Sequence, residues 1–306
     1  MSQVISQVLP FFIVAGVGWA AARARLFDER IAEALASYVF WIGFPALLIN
    51  ALSTAPKPSA AFATSLAAYG ASALVVLAAT LLIGRVLRWP ERSRAGAGLA
   101  ACIGNTAFLG LPLAVVLFGP QTRALAAAFV AVDFIFVFSV ALFVAARAGG
   151  RSPARAAAGV ARNPVIIGAA IGLILAVTHT VLPPLIARPL AALAATGSPV
   201  ALIALGAVLG QPRRGLRRIV EPPVLWASAA KLLILPALVY AATTLAGATP
   251  DFRRLAVLLA ASPTAVNVFI QTRAYAVYPD GAARVVTITT ALSCVTLVIL
   301  ARLLAV

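Results

Sequence analysis

Acidic, sulfur-containing and imidazole side chains are scarce in this sequence. Its 306 residues include eight Asp and Glu, two Cys, one Met and one His. Neither an H-E-x-x-H motif nor a nucleotide-binding loop is present, so metalloprotease chemistry and ATP-driven pumping by this chain are excluded. Cys102 and Cys294 fall in apolar segments without metal-ligand spacing, and we expect no cofactor and no metal. These absences argue against an enzyme.

Hydrophobic residues are abundant instead, at 63% of the chain against 10% charged residues and a mean hydropathy of +1.04. Apolar stretches of about 20 residues, enough to cross a bilayer as a helix, recur along the whole length. No extended soluble domain is left between them. We therefore expect an all-α polytopic membrane protein with ten spans, at 4–22, 34–54, 62–84, 97–118, 124–146, 163–181, 190–210, 223–246, 255–275 and 285–305.

The net charge of +16 is distributed unevenly between the loops. Counted from an external N-terminus, seventeen Arg fall in inside loops, whereas six Lys and Arg fall outside. The positive-inside rule then places both termini on the outer side of the membrane, which we expect to be a plasma membrane. The charge reflects topology in the lipid bilayer and not affinity for nucleic acid. The inside cations lie within 23–30, 85–94, 147–162, 213–218 and 273–284, and the outside ones are Lys57, Arg123, Arg188, Arg253, Arg254 and Arg302.

Five spans precede a short basic linker and five follow it. An odd number per half makes the second half enter the membrane from the opposite side, so we expect a 5+5 inverted repeat. Its parts are residues 1–146, the cytoplasmic linker 147–162, and residues 163–306, together forming a single integral membrane domain over 1–306. Pro45 in the second span and Pro199 in the seventh then correspond.

Two polar breaks interrupt the fourth and ninth spans 158 positions apart. The first reads G-N-T-A-F-L-G-L-P over 104–112, and the second reads S-P-T-A-V-N-V-F-I-Q over 262–271. Proline cannot donate to the helix and blocks the carbonyl one turn back, while asparagine brings polar groups to a depth where lipid supplies none. Interruptions at corresponding places of two halves are the best sequence indication of a secondary transporter's binding site.

Half-helices that begin at such breaks present free N–H groups and partial positive charge, which suit a carboxylate. Amide side chains beside them can bind an anion or a cation. Simple kinks, held by local side chains, are the alternative. We predict the following substrate-binding residues: Asn105, Thr106, Pro112, Pro263, Thr264, Asn267, Gln271 and, from the second span, Asn50.

Two ionisable side chains fall inside spans, and one more ends a span. Asp133 is the one acid in the middle of a span, where a lone carboxylate is costly and needs a partner or a function. We interpret Asp133 and Lys231 as a buried pair that couples ion or proton occupancy to substrate, with a static structural pair as the alternative. Arg273, at the end of the ninth span, either attracts an anionic substrate or extends to the membrane interface.

Several segments in order along the chain resemble the auxin efflux carrier family, most closely its bacterial members described as malonate or malate permeases. The quoted segments are L-P-F-F-I-V-A-G-V-G-W from Leu9, Y-V-F-W-I-G-F-P-A-L-L from Tyr38, N-T-A-F-L-G-L-P-L from Asn105, S-P-V-A-L-I-A-L-G-A-V-L from Ser198 and S-P-T-A-V-N-V-F from Ser262. The long cytosolic loop of the plant carriers is missing here, which makes the plant hormone a poor substrate candidate.

The resemblance implies a fold similar to bile-acid symporters and sodium/proton antiporters. Helices four and nine would be broken and cross at the midplane. Spans one, two, six and seven would form a scaffold, and the others a transport domain that moves as in an elevator. Family members carry small organic anions, such as mono- or dicarboxylates or auxin-like acids, and plant members form dimers, so a homodimer stays open here.

Three classes of function compete at this point. A channel requires a continuous polar stripe, and an intramembrane enzyme requires a catalytic set; the sequence offers neither. Secondary transport explains the paired breaks. Proton-linked transport or uniport is the first hypothesis for coupling, and sodium symport of a bile-acid-like or other organic anion is the alternative.

Overall fold

The computed structural model describes residues 2–53, 60–211 and 221–304. Within these ranges the chain is helical and has no strand, apart from one isolated bridge. Lys57 and the basic cluster at 213–218, which the loop count used, lie outside the described residues.

Sixteen α-helices follow one another in the described ranges, and short π-helical turns join some of them. The α-helices are α1 Ser2–Arg23, α2 Glu29–Tyr38, α3 Phe44–Leu52, α4 Ala60–Val86, α5 Glu91–Cys102, α6 Leu111–Phe118, α7 Arg123–Val132, α8 Phe138–Ala148, α9 Pro153–Ala161, α10 Pro164–Val177, α11 Pro184–Gly210, α12 Pro222–Ala229, α13 Leu235–Leu245, α14 Pro250–Ala260, α15 Val266–Ala274 and α16 Pro279–Leu303. The π turns are Val39–Gly43, Thr106–Gly110, Asp133–Val137 and Ala230–Ile234.

Six helical segments of the described ranges are long and apolar enough to cross a membrane, or seven if one bent pair counts as a span. The protein is therefore a polytopic helical membrane protein. The ten-span count and the 5+5 repeat stay predictions, because several predicted spans are made of shorter helices. The six are Glu29–Leu52, Phe62–Val86, Pro120–Ala148, Pro184–Gly210, Pro222–Leu245 and Pro279–Leu303, and the bent pair is Pro153–Ala161 with Pro164–Thr178.

Proline explains three of the four described π turns. Pro45, Pro112 and Pro236 each stand two residues after the last residue of such a turn. The proline ring clashes with the carbonyl one turn back and cannot donate to it. The wider turn accommodates this carbonyl without breaking the helix.

The helices pack in two groups. In the first group, α1 lies against α11, and α3 lies against α10 and α11. Glycines permit the α1–α11 contact, since a Cβ on Gly206 would collide with the carbonyl of Ala15 and one on Gly18 with that of Ile203. The second group includes α5 packed on α4 and α8, α13 packed on α14, and α12 and α15 packed on α16.

The basic linker of residues 147–162 contains a helix of its own, which the sequence did not predict. Ser152 caps α9 by accepting a hydrogen bond from the backbone N–H of Arg155 at 3.4 Å. α9 then meets the next helix at a bend of 55°. We call this partly helical linker the ledge.

A second ordered connection joins the starts of α12 and α16. Glu221 accepts hydrogen bonds from the hydroxyl of Tyr278 and from Arg284 Nη2, the latter at 2.8 Å. Burial is the main cause that raises the pKa of Tyr278 above its usual value, so this tyrosine remains a neutral donor.

Candidate functional site

The two sequence breaks meet in the structure, as predicted. Residues 103–105 separate α5 from the next π turn, and residues 261–265 separate α14 from α15. The backbone N–H of Asn105 donates to the carbonyl of Pro263 at 2.7 Å, and that of Ala265 donates to Ile103 at 3.3 Å. Gly104 and Thr264 form the antiparallel bridge between them. Extended backbone thus finds its hydrogen bonds within the protein, as a site inside a membrane requires.

Small and apolar residues bury this crossing. Every residue of α5 from Ala95 to Cys102 is buried, and so is every residue of α14 from Leu255 to Ala260. Ala and Gly dominate the buried part of α5, which lets the backbones approach closely. The crossing therefore lies in the core of the second helix group.

Thr264 holds the crossing together rather than facing an open space. Its Oγ1 donates to the carbonyl of Ala100 at 2.8 Å, and its N–H donates to Thr289 Oγ1 at 3.1 Å. Both donors of Thr264 are therefore occupied by protein. Thr264 therefore has no free donor for the substrate that it was predicted to bind.

Asn105 and Asn267 both line a narrow cavity of about 30 Å³. Asn267 Oδ1 accepts from Gln271 Nε2 at 3.3 Å, while its buried Nδ2 has no hydrogen-bond partner. The side chain of Asn105 makes no capping hydrogen bond. The rest of the lining includes aromatic rings and small apolar groups: Ala36, Val39, Phe40, Phe44, Phe108, Ala201, Ala204, Ala265, Val266 and Ile270.

Pro112 affects the site because it leaves the backbone carbonyl of Phe108 without a helical donor. It has no N–H to donate to Phe108, four residues earlier, and Ser198 Oγ from α11 donates to that carbonyl at 2.6 Å instead. This contact joins the two helix groups at the crossing. Sequence reasoning missed Ser198, although its position next to Pro199 and the loss of one helical donor at Pro112 were visible signals. Neither Pro112 nor Asn50 lines the crossing cavity.

Lys231 reaches the crossing from the π turn before α13. The side chain is fully buried, and its Nζ donates to the carbonyl of Ala260 at 2.6 Å. Ala260 is the last residue of α14, where free carbonyls and the helix dipole concentrate negative charge. The ammonium of Lys231 therefore neutralises a helix C-terminus inside the protein.

Asp133 is also buried, and it interacts electrostatically with Lys231. Its Oδ2 accepts from the hydroxyl of Tyr69 at 2.8 Å. Thr106 Oγ1, at the start of the second half-helix, is buried beside the same carboxylate and interacts with it. No ion pair between Asp133 and Lys231 occurs among the described residues. Their role in coupling remains a prediction.

Gly104 provides a test of how closely Lys231 fits the crossing. A Cβ at Gly104 would lie 2.8 Å from Lys231 Nζ and 3.1 Å from its Cε. We expect Gly104→Ala to displace the ammonium from Ala260 and to destabilise the fold by about 1–3 kcal/mol, the usual cost of overpacking. Gly16→Ala is the matched control, because nothing lies within 4 Å of its Cβ position. Thermal unfolding of both variants in detergent measures the difference, and equal melting temperatures would contradict it.

Arg273 ends α15 and binds two carboxylates on α2. Its Nη1 lies 2.5 Å from Glu33 Oε1 and 3.2 Å from Glu29 Oε1. It also lines a second, larger cavity of about 530 Å³, together with Arg151, Arg162 and Gln271. The structure thus pairs Arg273 with acids, and its attraction for an anion stays a prediction.

Comparison with known proteins shows the family. The Membrane transport protein family matches the chain twice, at residues 3–161 and 157–301. A protein of Rhizobium meliloti (strain 1021) named "Putative malonate transporter" is 32% identical over 308 residues, which cover 97% of this chain and 94% of that relative. The description of the family and the name of the relative both indicate a transporter and not an enzyme. The chain therefore belongs to the Membrane transport protein family, that of the auxin efflux carriers which its sequence resembles.

Proposed function

We propose that this protein is a secondary transporter of small organic anions, with dicarboxylates such as malonate as the first candidates. The observation that carries the proposal is the buried, unpartnered Nδ2 of Asn267 in the cavity that it shares with Asn105. A buried donor without a partner is costly, and a carboxylate oxygen would satisfy it. The relative's name adds malonate as a specific substrate to test.

The geometry around the amides supports an anion with a short apolar part. The π turn at Thr106 and helix α15 both begin at the crossing, so N–H groups of their first turns face the same region. Helix N-termini favour negative charge. Phe44 and Phe108 pack edge to face beside the amides, with ring centroids 4.4 Å apart, and offer an apolar wall for a methylene group.

For the mechanism we propose elevator-type alternating access in a ten-span, 5+5 inverted repeat. The two helix groups support this division, because α1, α3, α10 and α11 pack mainly among themselves while the crossing belongs to the other group. The hydrogen bond from Ser198 to Phe108 would be exchanged when the groups move. Alternating access in such repeats is largely a rigid-body movement around the site.

For coupling we propose a proton or none, with sodium as the alternative. Asp133 has one oxygen on Tyr69 and lies beside the Thr106 hydroxyl, which can either donate or accept, so the carboxyl can hold a proton without losing a partner. Sodium requires several oxygens and a net negative environment. Lys231 is a nearby cation that interacts electrostatically with Asp133, so it reduces the negative charge available to bind a sodium ion.

Uptake of labelled malonate into proteoliposomes tests the function and its coupling together. We expect accumulation to rise when the outside is more acidic than the inside, and to stay unchanged under a sodium gradient. Asp133→Asn keeps an acceptor for Tyr69 but carries no proton, so its uptake should lose the response to the pH gradient. Stimulation by sodium alone would favour the alternative, and no uptake of any dicarboxylate or monocarboxylate would contradict the proposed function.

A further inference from the structure

The larger cavity lies beside the crossing and shares part of its wall. We call it the vestibule; it is lined by α2, α15 and the ledge around α9. Ala36, Phe40 and Ile270 line both cavities. Its volume of about 530 Å³ holds a small organic anion easily, whereas the crossing cavity, at about 30 Å³, must widen before it admits one. An anion that reaches the crossing from this side passes through the vestibule.

Positive charge dominates the vestibule. Three arginines line it, Arg151, Arg162 and Arg273, against a single acid, Glu33. Arg151 is held in place by stacking on the ring of Tyr275, at 4.3 Å from the centroid. A concave surface of one sign raises the local concentration of counter-ions, and more so for a doubly charged anion.

Arg273 keeps most of its hydrogen-bonding capacity free. A guanidinium has five N–H donors, yet in the described part of the chain Arg273 contacts Glu29 and Glu33 through Nη1 alone. About half of the Arg273 and Glu33 side chains is exposed. Exposed ion pairs of this kind are weak and readily replaced. A substrate carboxylate could bind the same guanidinium through two parallel hydrogen bonds, which is a stronger arrangement.

A polar path leads from Arg273 to the crossing along α15. Gln271 lines the vestibule and donates to Asn267, whose unpartnered amide lines the crossing cavity. Asn267 and Arg273 are six residues apart, about 9 Å along the helix axis. A three-carbon dicarboxylate is too short to occupy both ends, so it would bind them one after the other.

We propose that the vestibule is a docking site for a small dicarboxylate, in which a substrate carboxylate replaces Glu33 on Arg273 before the anion moves to the crossing. This inference rests on the proposed function. Replacement of Glu33 by the substrate would also weaken the contact between the two helix groups. The Arg273–Glu33 ion pair joins α15 of one group to α2, which packs on α11 of the other. Docking would release the two groups from each other on this side.

Isothermal titration calorimetry of malonate binding to the purified full-length protein, at low ionic strength, tests this inference. Arg273→Ala should weaken binding about tenfold, since it removes a bidentate charged contact. Glu33→Gln should tighten binding about threefold, since it removes the competing carboxylate. Arg273→Lys keeps the charge without the fork and should fall between wild type and Arg273→Ala. Arg155→Ala is the matched control: this arginine lies on α9, is exposed, and does not line the vestibule.

The pattern of results separates the two proposals. Wild-type affinity in both Arg273→Ala and Glu33→Gln, together with lost binding in Asn267→Ala, would overturn the docking site and leave the proposed function standing. Equal losses in Arg273→Ala and Arg155→Ala would reduce the effect to general surface charge and overturn the docking site too. A wild-type protein that binds no malonate, lactate or other small carboxylate would overturn both.

Discussion

Asn105→Ala and Asn267→Ala are each expected to reduce malonate transport to near background while the protein still inserts and folds. Asn267 carries the buried amide donor that has no protein partner, and Asn105 lines the same cavity. Hydrogen bonds to a charged group contribute about 1.5–3 kcal/mol, which corresponds to roughly a 10- to 150-fold loss for each variant. Initial rates of uptake into proteoliposomes measure the loss.

A matched amide on the surface provides the control. Gln121 is exposed and donates only to the carbonyl of Phe118, so Gln121→Ala should transport at the wild-type rate. Size-exclusion profiles and melting temperatures of the asparagine variants should stay close to wild type, because these side chains contribute few contacts to the fold. Wild-type transport by both asparagine variants would contradict the placement of the substrate at the crossing.

The crossing could be predicted from sequence because its signals are local. Pro263 and Asn105 interrupt otherwise apolar runs, and the small residues before Gly104 permit a close approach. These residue types act on the backbone within one helical turn, so a single sequence reveals them. The structure confirms that the two breaks meet through backbone hydrogen bonds.

The contacts between distant helices could not be predicted in the same way. Ser198 binds a carbonyl 90 residues away, and Lys231 binds the end of α14 rather than Asp133. Both contacts depend on how helices rotate and pack, which periodicity does not determine. Opposite charges inside two spans predicted that Lys231 and Asp133 interact, but charge does not specify which groups form their hydrogen bonds.

Hydropathy likewise located the helical segments, but it did not show where a segment is divided into shorter helices. The segments predicted at 34–54 and 223–246 contain π turns, and the linker at 147–162 contains α9. A π turn requires only one additional residue per turn, so it leaves the apolar pattern unchanged. Helix α9 is short and contains Pro153, Arg155 and Gly159, so its composition resembles that of a loop.

Lys231→Met is expected to be the most destabilising single change at the site. Methionine matches the length of the lysine stem, but it leaves the carbonyl of Ala260 without its 2.6 Å donor and leaves Asp133 as an uncompensated buried charge. Removing one partner of a buried charged cluster typically costs about 3–5 kcal/mol. We therefore expect a large fall in melting temperature, or loss of the folded protein from detergent extracts.

The double variant Lys231→Met with Asp133→Asn decides whether charge balance or the hydrogen bond of Lys231 is responsible. Both buried charges are then absent, and asparagine still accepts from Tyr69. If the electrostatic interaction of the two residues dominates, the double variant should recover most of the stability that Lys231→Met loses. If it melts as low as Lys231→Met, the contact with Ala260 alone explains the loss, and Lys231 acts as a cap for α14 without relation to Asp133. Because coupling requires the two charges to sense each other, the second result would also remove Lys231 from the coupling mechanism.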